Sequence, residues 1–269
     1  MNNKIINSLK KSHFVNILRN KFLIRPSLYL KPKNNDLAVS DFFFWRCKDS
    51  FQTKFYITNL ASQILPELPQ NDEICIFIYN NYGEKIDHIE INLNPFQTIE
   101  FIFDIKKFQD MYGSFFIFHK FKNLGDLLVN NCHVAERGYT GYKKGDGVWN
   151  FVHGNHYSAS LLPNNKIQSL VSTSLLKSNY KMQVSFSDSI RNELVINNPG
   201  DKKISYEILY FNENMKYIDK DVFSLKGLNT SIHELSKKKF QYIEIKSNII
   251  FCRPLVIKYY DHYFDVFHA

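Results

Sequence analysis

Cysteine is scarce and widely spaced in this sequence. Cys47, Cys75, Cys132 and Cys252 are the only four in 269 residues, and no two form a Cys-x-x-Cys pair. That removes support for a structural zinc site and leaves free buried thiols as the expectation. No Gly-x-x-x-x-Gly-Lys-Ser/Thr loop and no Gly-x-Gly-x-x-Gly fingerprint occur among the ten glycines. Nucleotide binding is therefore not indicated, and no cofactor is expected. No apolar run is long enough to span a bilayer. No uninterrupted apolar core follows the first lysines, so an export signal is not expected and a cytoplasmic protein is. Acidic residues are missing altogether from positions 1 to 33, which carry eight positive charges, whereas the other 26 basic residues balance all 26 acidic ones. The net charge of +8 thus belongs to the N-terminal segment. The body lacks the broad positive face that nucleic acid requires, and nucleic acid is not an expected partner.

What the chain does have is aromatic residues, 16% of the total with 24 Phe and 16 Tyr. With Ile and Val they favour half-buried strands, and an all-β fold is expected. In the N-terminal segment Ile5, Ile6, Leu9, Phe14, Ile17, Leu18 and Phe22 recur at three- and four-residue steps, predicting a helix over 3–23 that Pro26 closes. Its apolar stripe is flanked by basic side chains. Lys10, Lys11, Phe14, Leu18 and Arg19 are the expected contacts with an anionic membrane surface or a partner, placing the protein at the inner face of a membrane as a peripheral component. Docking on the protein's own sheet is the alternative.

The remainder reads as short strands punctuated by turn signals, in two series. Ile57-Thr58-Asn59 corresponds to Ile196-Asn197-Asn198, and Ile78-Tyr79-Asn80 to Leu209-Tyr210-Phe211-Asn212. Leu93 corresponds to Leu225 and Lys107-Phe108 to Lys239-Phe240, at offsets of about 130 to 140 residues. Each series has hairpin chemistry at its centre, Asn80-Asn81-Tyr82-Gly83 in one and Asn212-Glu213-Asn214 in the other. An internal duplication accounts for this economically. Strand, turn and returning strand resemble an immunoglobulin-like or fibronectin-type sandwich over roughly 70 residues of each half, without a Cys-Trp-Cys signature. The expected layout is a helix and linker over 1–34, a first antiparallel sandwich over 35–162 and a second over 163–269. A single strand is expected over 167–176. An alternating strand ending at Asp265 and His268 is expected to seal the second sandwich.

Residues 136–157 hold five of the ten glycines, and this Gly- and aromatic-rich stretch reads as an elaboration of the first sandwich beside the junction. Glu136 and His153 are the candidate acid and base, and Arg137 could hold an anionic group. Arg137, Tyr139, Tyr142, Trp149, Asn155, His156 and Tyr157 are the candidate ligand-binding residues, since rings stack on apolar C–H faces while polar neighbours satisfy hydroxyls. His153 and His156, with Glu136 or His133, have a spacing poorly suited to a metal on a strand, because residues three apart point to opposite faces, and no metal is expected. A non-catalytic recognition or scaffold protein, binding a glycan or protein partner at the junction of two sandwiches, is the favoured expectation. The alternative is a carbohydrate-active or acyl-transfer enzyme using Glu136, Arg137 and His153.

Overall fold

The computed structural model describes residues 12–27, 29–30, 32, 38–120, 134–182, 185–186, 188–235, 240–250 and 253–268, without the side chains of residues 13, 156 and 157. The chain is predominantly β, arranged in four sheets with a sandwich-like architecture. The first half contributes β1 (Ala38–Arg46), β2 (Phe51–Thr58), β3 (Asp72–Asn80), β4 (Lys85–Leu93), β5 (Thr98–Ile102) and β6 (Tyr112–Lys120). Short strands follow: β7 (Val134–Glu136), β8 (Tyr139–Lys144), β9 (Asn150–His153), β10 (Asn155–Leu161) and β11 (Ile167–Ser169). One sheet runs β11-β10-β1-β6-β3-β4 with β7 alongside β1, and a second runs β5-β2-β8-β9. Alternate residues of both enter one core, among them Phe43, Trp45, Phe55, Ile57, Ile74, Ile76, Ile78 and Phe115. Complete burial of a side chain of this size stabilises by roughly 1.5–3 kcal/mol. The Trp45 indole stacks on Phe103 at 5.2 Å and donates to the Tyr79 carbonyl at 2.9 Å, so its one polar group is satisfied inside the core.

The second half contributes β12 (Thr173–Lys181), β13 (Arg191–Asn197), β14 (Ile204–Phe211), β15 (Tyr217–Leu225), β16 (Thr230–Glu234), β17 (Tyr242–Ile249), β18 (Leu255–Tyr259) and β19 (Phe264–His268). Sheets β12-β17-β14-β15 and β16-β13-β18-β19 enclose Leu194, Ile196, Tyr206, Ile208, Ile245 and Val256. The strand expected over 167–176 is two strands. β11 pairs with β10 and β12 with β17, because Leu170 donates to Ser158 O and accepts from Leu30 N, turning the chain from one sheet to the other.

The pairings of β1 with β6, β2 with β5 and β8, β3 with β4 and β6, and β8 with β9 recur as β12 with β17, β13 with β16 and β18, β14 with β15 and β17, and β18 with β19. The Gly- and aromatic-rich stretch therefore supplies two integral strands of the first sandwich, in the places that β18 and β19 take in the second. Details agree as well. Asn59 Nδ2 donates to Gln70, Leu93 and Asn94 carbonyls, and Asn198 Nδ2 to those of Lys202, Leu225 and Lys226. Asn59 Oδ1 also caps the five-residue helix α2 (Leu60–Ile64) by accepting from Ser62 N. Asn80 Oδ1 accepts from the backbone two and four residues on, as Asn212 Oδ1 does. The left-handed position of that turn is Gly83 in one hairpin (φ 77°) and Met215 in the other (φ 58°).

The two sandwiches meet along an apolar seam. Phe44, Phe51, Tyr142 and Val152 of the first pack with Val195, Leu255, Ile257, Tyr259, Phe264 and Val266 of the second. A buried ion pair joins Arg46 to Glu193 at 2.6 Å, and Tyr259 donates to the same carboxylate oxygen at 2.7 Å. At another point of the contact Thr230 N donates to Asn81 O at 3.1 Å. There a Cβ on Gly83 would stand 2.5 Å from Gly227 O, so the backbones approach as only glycine permits.

Helix α1 (His13–Lys21) covers the later part of the helix expected over 3–23, and Lys10 and Lys11 lie outside the described residues. Buried Asn20 anchors it, donating to Ser172 Oγ and accepting from Ser27 N, each at 2.7 Å. Phe14, Leu18 and Phe22, at four-residue steps, stay exposed, with Arg19 and Lys21 in the last turn. No helix among the described residues is long and apolar enough to cross a membrane.

Candidate functional site

Antiparallel register fixes which side chains share the outer face of sheet β5-β2-β8-β9. Lys54 lies opposite Ile102 on one side and Gly141 on the other, and Gly141 opposite Phe151. The adjacent row places Glu100 beside Tyr56, and Tyr139 opposite His153. Paired residues point the same way, so these groups form one outward face while Phe55, Thr140, Tyr142 and Val152 point inward. Tyr139 is 58% exposed, Tyr56 45% and Phe151 43%, a contiguous set of rings open to solvent.

Gly141 makes this arrangement possible. A Cβ at that position would fall 2.6 Å from the Phe151 ring, so the absence of a side chain lets the ring lie across the sheet toward Tyr56, 6.4 Å away and inclined by 28°. At the centre, the Lys54 ammonium donates to Glu100 at 2.7 Å and to the Tyr56 hydroxyl at 2.9 Å. It also stands 4.3 Å from the Trp149 ring centre, within cation–π range. The hydrogen bond from Lys54 holds the Glu100 carboxyl below its ordinary range, and that to Glu100 raises Lys54. Lys143 comes within 5.5 Å of the same indole. Half-buried Trp149 thus serves as a wall for two lysines.

The other sequence-expected residues are distributed differently. Tyr142 is fully buried and donates to Phe44 O at 2.7 Å, so it supports the seam. Asn155 opens β10 opposite Phe42, while the side chains of His156 and Tyr157 lie outside the described residues, as does His133. Glu136 is buried in a network that the sequence did not reveal. Its carboxylate contacts His119 Nε2 at 2.8 Å and accepts from Gly138 N at 2.7 Å, while Asp72 contacts His119 Nδ1 at 2.7 Å. Burial opposes charge on this imidazole, but the hydrogen bonds to Asp72 and Glu136 prevail and raise its pKa to about 9. Arg137 lies 3.6 Å from the buried Asp41.

His153 occupies the end of the exposed face where the two sandwiches join. Its Nδ1 contacts Gly154 O at 2.9 Å, and its carbonyl receives His268 Nε2 at 2.7 Å. The two imidazoles are 4.8 Å apart, and Tyr139 meets His153 edge-on at 6.2 Å. Burial and the charge of Arg253 hold His268 down to about 4, so near neutral pH it is an uncharged ring donating to the closer carbonyl. His153 is lowered by burial, with Arg253 and Arg137 adding to the effect. Glu136, Arg137 and His153 are thus each engaged with a different partner, His119, Asp41 and the Gly154 carbonyl.

One group among the described residues has metal-ligand chemistry: Cys75, His88 and Glu90 offer atoms within 4.8 Å of one another. Lys120 Nζ stands 3.7 Å from Glu90 there, and its charge opposes a cation. Cys47 and Cys75 are free and buried, and Cys132 and Cys252 lie outside the described residues. The chain matches no protein-family model and no curated protein sequence.

Proposed function

We propose that this is a non-catalytic recognition protein that binds a glycan on the outer face of sheet β5-β2-β8-β9. The observation carrying the reading is the set of exposed rings Tyr56, Tyr139 and Phe151 around the Lys54–Glu100 pair. Pyranose C–H faces rest on such rings, and the ammonium and carboxylate satisfy hydroxyls at the ring edges. The site differs from the junction-centred one read from sequence in lying mainly on one sheet and only ending at the junction.

In this reading the two sandwiches are repeats of one immunoglobulin-like unit. Support comes from the recurring strand pairings and from Asn59 and Asn198 making equivalent sets of bonds. The N-terminal helix, held by Asn20, turns Phe14, Leu18 and Phe22 toward a membrane surface, with Arg19 and Lys21 for anionic headgroups.

A glycan array probed with the intact protein tests the proposal, alongside Tyr139→Ala and Phe151→Ala variants of unchanged melting temperature. Binding by the parent that falls about tenfold in each variant supports it, an effect of the size expected for losing one stacked ring. An array that stays blank, or binding that both variants retain in full, overturns it.

A further inference from the structure

We infer that the cleft between helix α1 and the turns beside β11 and β13 binds a phosphate monoester, with Lys21, Lys166 and Lys202 around the phosphate. The cavity measures about 570 Å³, within the roughly 300–1,000 Å³ of ligand sites, and is lined from three parts of the chain. None of its lining residues belongs to the ring face, so the cleft would serve a second ligand whatever the sheet binds. Each lysine stands on an anchored piece of backbone. Lys21 ends α1, next to Asn20, whose side chain is bonded to Ser172 in the cavity wall. Lys166 follows the turn between β10 and β11, its carbonyl accepting from Leu162 N at 2.8 Å. Lys202 lies in the turn between β13 and β14, its carbonyl accepting from Asn198 Nδ2 at 2.7 Å. All three residues are exposed at the rim, and no ion pair or hydrogen bond among the described residues occupies their ammonium groups.

Asp201 is the one acid among the described residues lining the cavity, so two positive charges are left unbalanced. A phosphate monoester carries about two negative charges at neutral pH and three acceptor oxygens. Lysines suit it because they act as point charges arriving from separate directions. A planar carboxylate is matched instead by a guanidinium fork, and no arginine among the described residues lines the cavity. Ser169 adds a hydroxyl: its Oγ accepts from Val171 N at 3.2 Å, which leaves its proton to donate. The rest of the ligand has an apolar bed. Leu30, Leu162, Ile167 and Val171 line the cavity, and another of about 320 Å³ adjoins it along Ile167 and Ser169 toward Phe77.

Calorimetry on the intact protein with phenyl phosphate and phenyl sulfate tests this, since the two share ring and size and differ by about one charge near neutral pH. The phosphate is expected to bind about tenfold tighter, and salt at about 0.5 M should narrow the gap. Lys166→Gln combined with Lys202→Gln, checked for an unchanged melting temperature, should abolish the difference. No binding of phenyl phosphate, equal affinity for the two probes, or a preference that survives the double variant overturns the assignment. A lipid headgroup and a soluble metabolite both supply such an ester, and competition separates them. Phosphatidylcholine vesicles with phosphatidic acid that displace phenyl phosphate, where charge-matched phosphatidylserine vesicles do not, place the ester on a lipid; displacement by neither places it on a soluble molecule. Displacement by both alike overturns the preference for a phosphate monoester.

Discussion

His119 is a buried imidazole held between two carboxylates. These belong to Asp72 and Glu136, and its folded pKa is raised from 6.5 to about 9. A group raised on folding stabilises fully below its unfolded value and loses that contribution as pH climbs through the folded value. The shift corresponds to about 3 kcal/mol, present at pH 6 and gone by about pH 10. Thermal melts across that range should show a declining midpoint, and His119→Gln should flatten the decline. The variant should also be destabilised by about 3–5 kcal/mol, because two buried carboxylates lose their cation. A parent whose midpoint does not move between pH 7 and 10 would contradict this account. Little of the network was legible beforehand, since Asp72, His119 and Glu136 are far apart in sequence and none stands in a motif. Glu136 drew notice for its place in the Gly- and aromatic-rich stretch, while its contact with the buried His119, 17 residues away, left no mark in the sequence. Tyr139 was among the expected ligand-binding residues and is exposed, whereas the exposed Phe151 was not singled out, because alternation does not say which face of a strand meets solvent.

Among the elements, the hairpin of β8 and β9 combines packing with the proposed recognition face. Gly141 is the position where those requirements conflict. Gly141→Ala should push the Phe151 ring from its place, costing about 1–3 kcal/mol through overpacking. Glycan affinity should fall with it, which calorimetry on the folded variant would detect; full affinity with a displaced melting temperature would separate packing from binding. Hairpins and paired strands were the most readable elements. Asn80 and Gly83, and Asn212 after them, announce the turns by chemistry that acts within a few residues. Less readable was the switch at Leu170–Ser172, where an apolar run passes from one sheet to another, because alternation is the same on both sides of it. The same limit explains why β8 and β9 read as an addition: their equivalence to β18 and β19 lies in pairing partners, and their sequences carry no trace of it.

At the scale of the whole molecule, the seam makes the two sandwiches depend on each other. Glu193→Gln would leave the Arg46 guanidinium buried with a weakened partner, and a loss of about 3–5 kcal/mol is expected in urea unfolding. Amides of β18 and β19 should exchange faster in the variant; unaltered exchange would mean that the apolar contacts hold the seam alone. The proposed membrane face makes a separate prediction. Vesicles rich in anionic lipid should sediment the parent, and Phe14→Asp combined with Leu18→Asp should abolish this while leaving glycan binding untouched. Sedimentation equal for both forms would leave the helix with a docking role only.

The hairpin turn at Gly83 has a further consequence. It is a socket: its bare α-carbon lets the loop around Gly227 of the neighbouring sandwich settle against it. The matching turn of the second sandwich bends through the same left-handed step but carries Met215 there, with its side chain 54% exposed. Another sandwich could not seat itself on that turn by the same backbone-to-backbone approach. Stacking of this kind is therefore polar, with a receptive end on the first unit and a blocked end on the second. A Met215→Gly change would be the minimal edit toward a longer array built from the same joint.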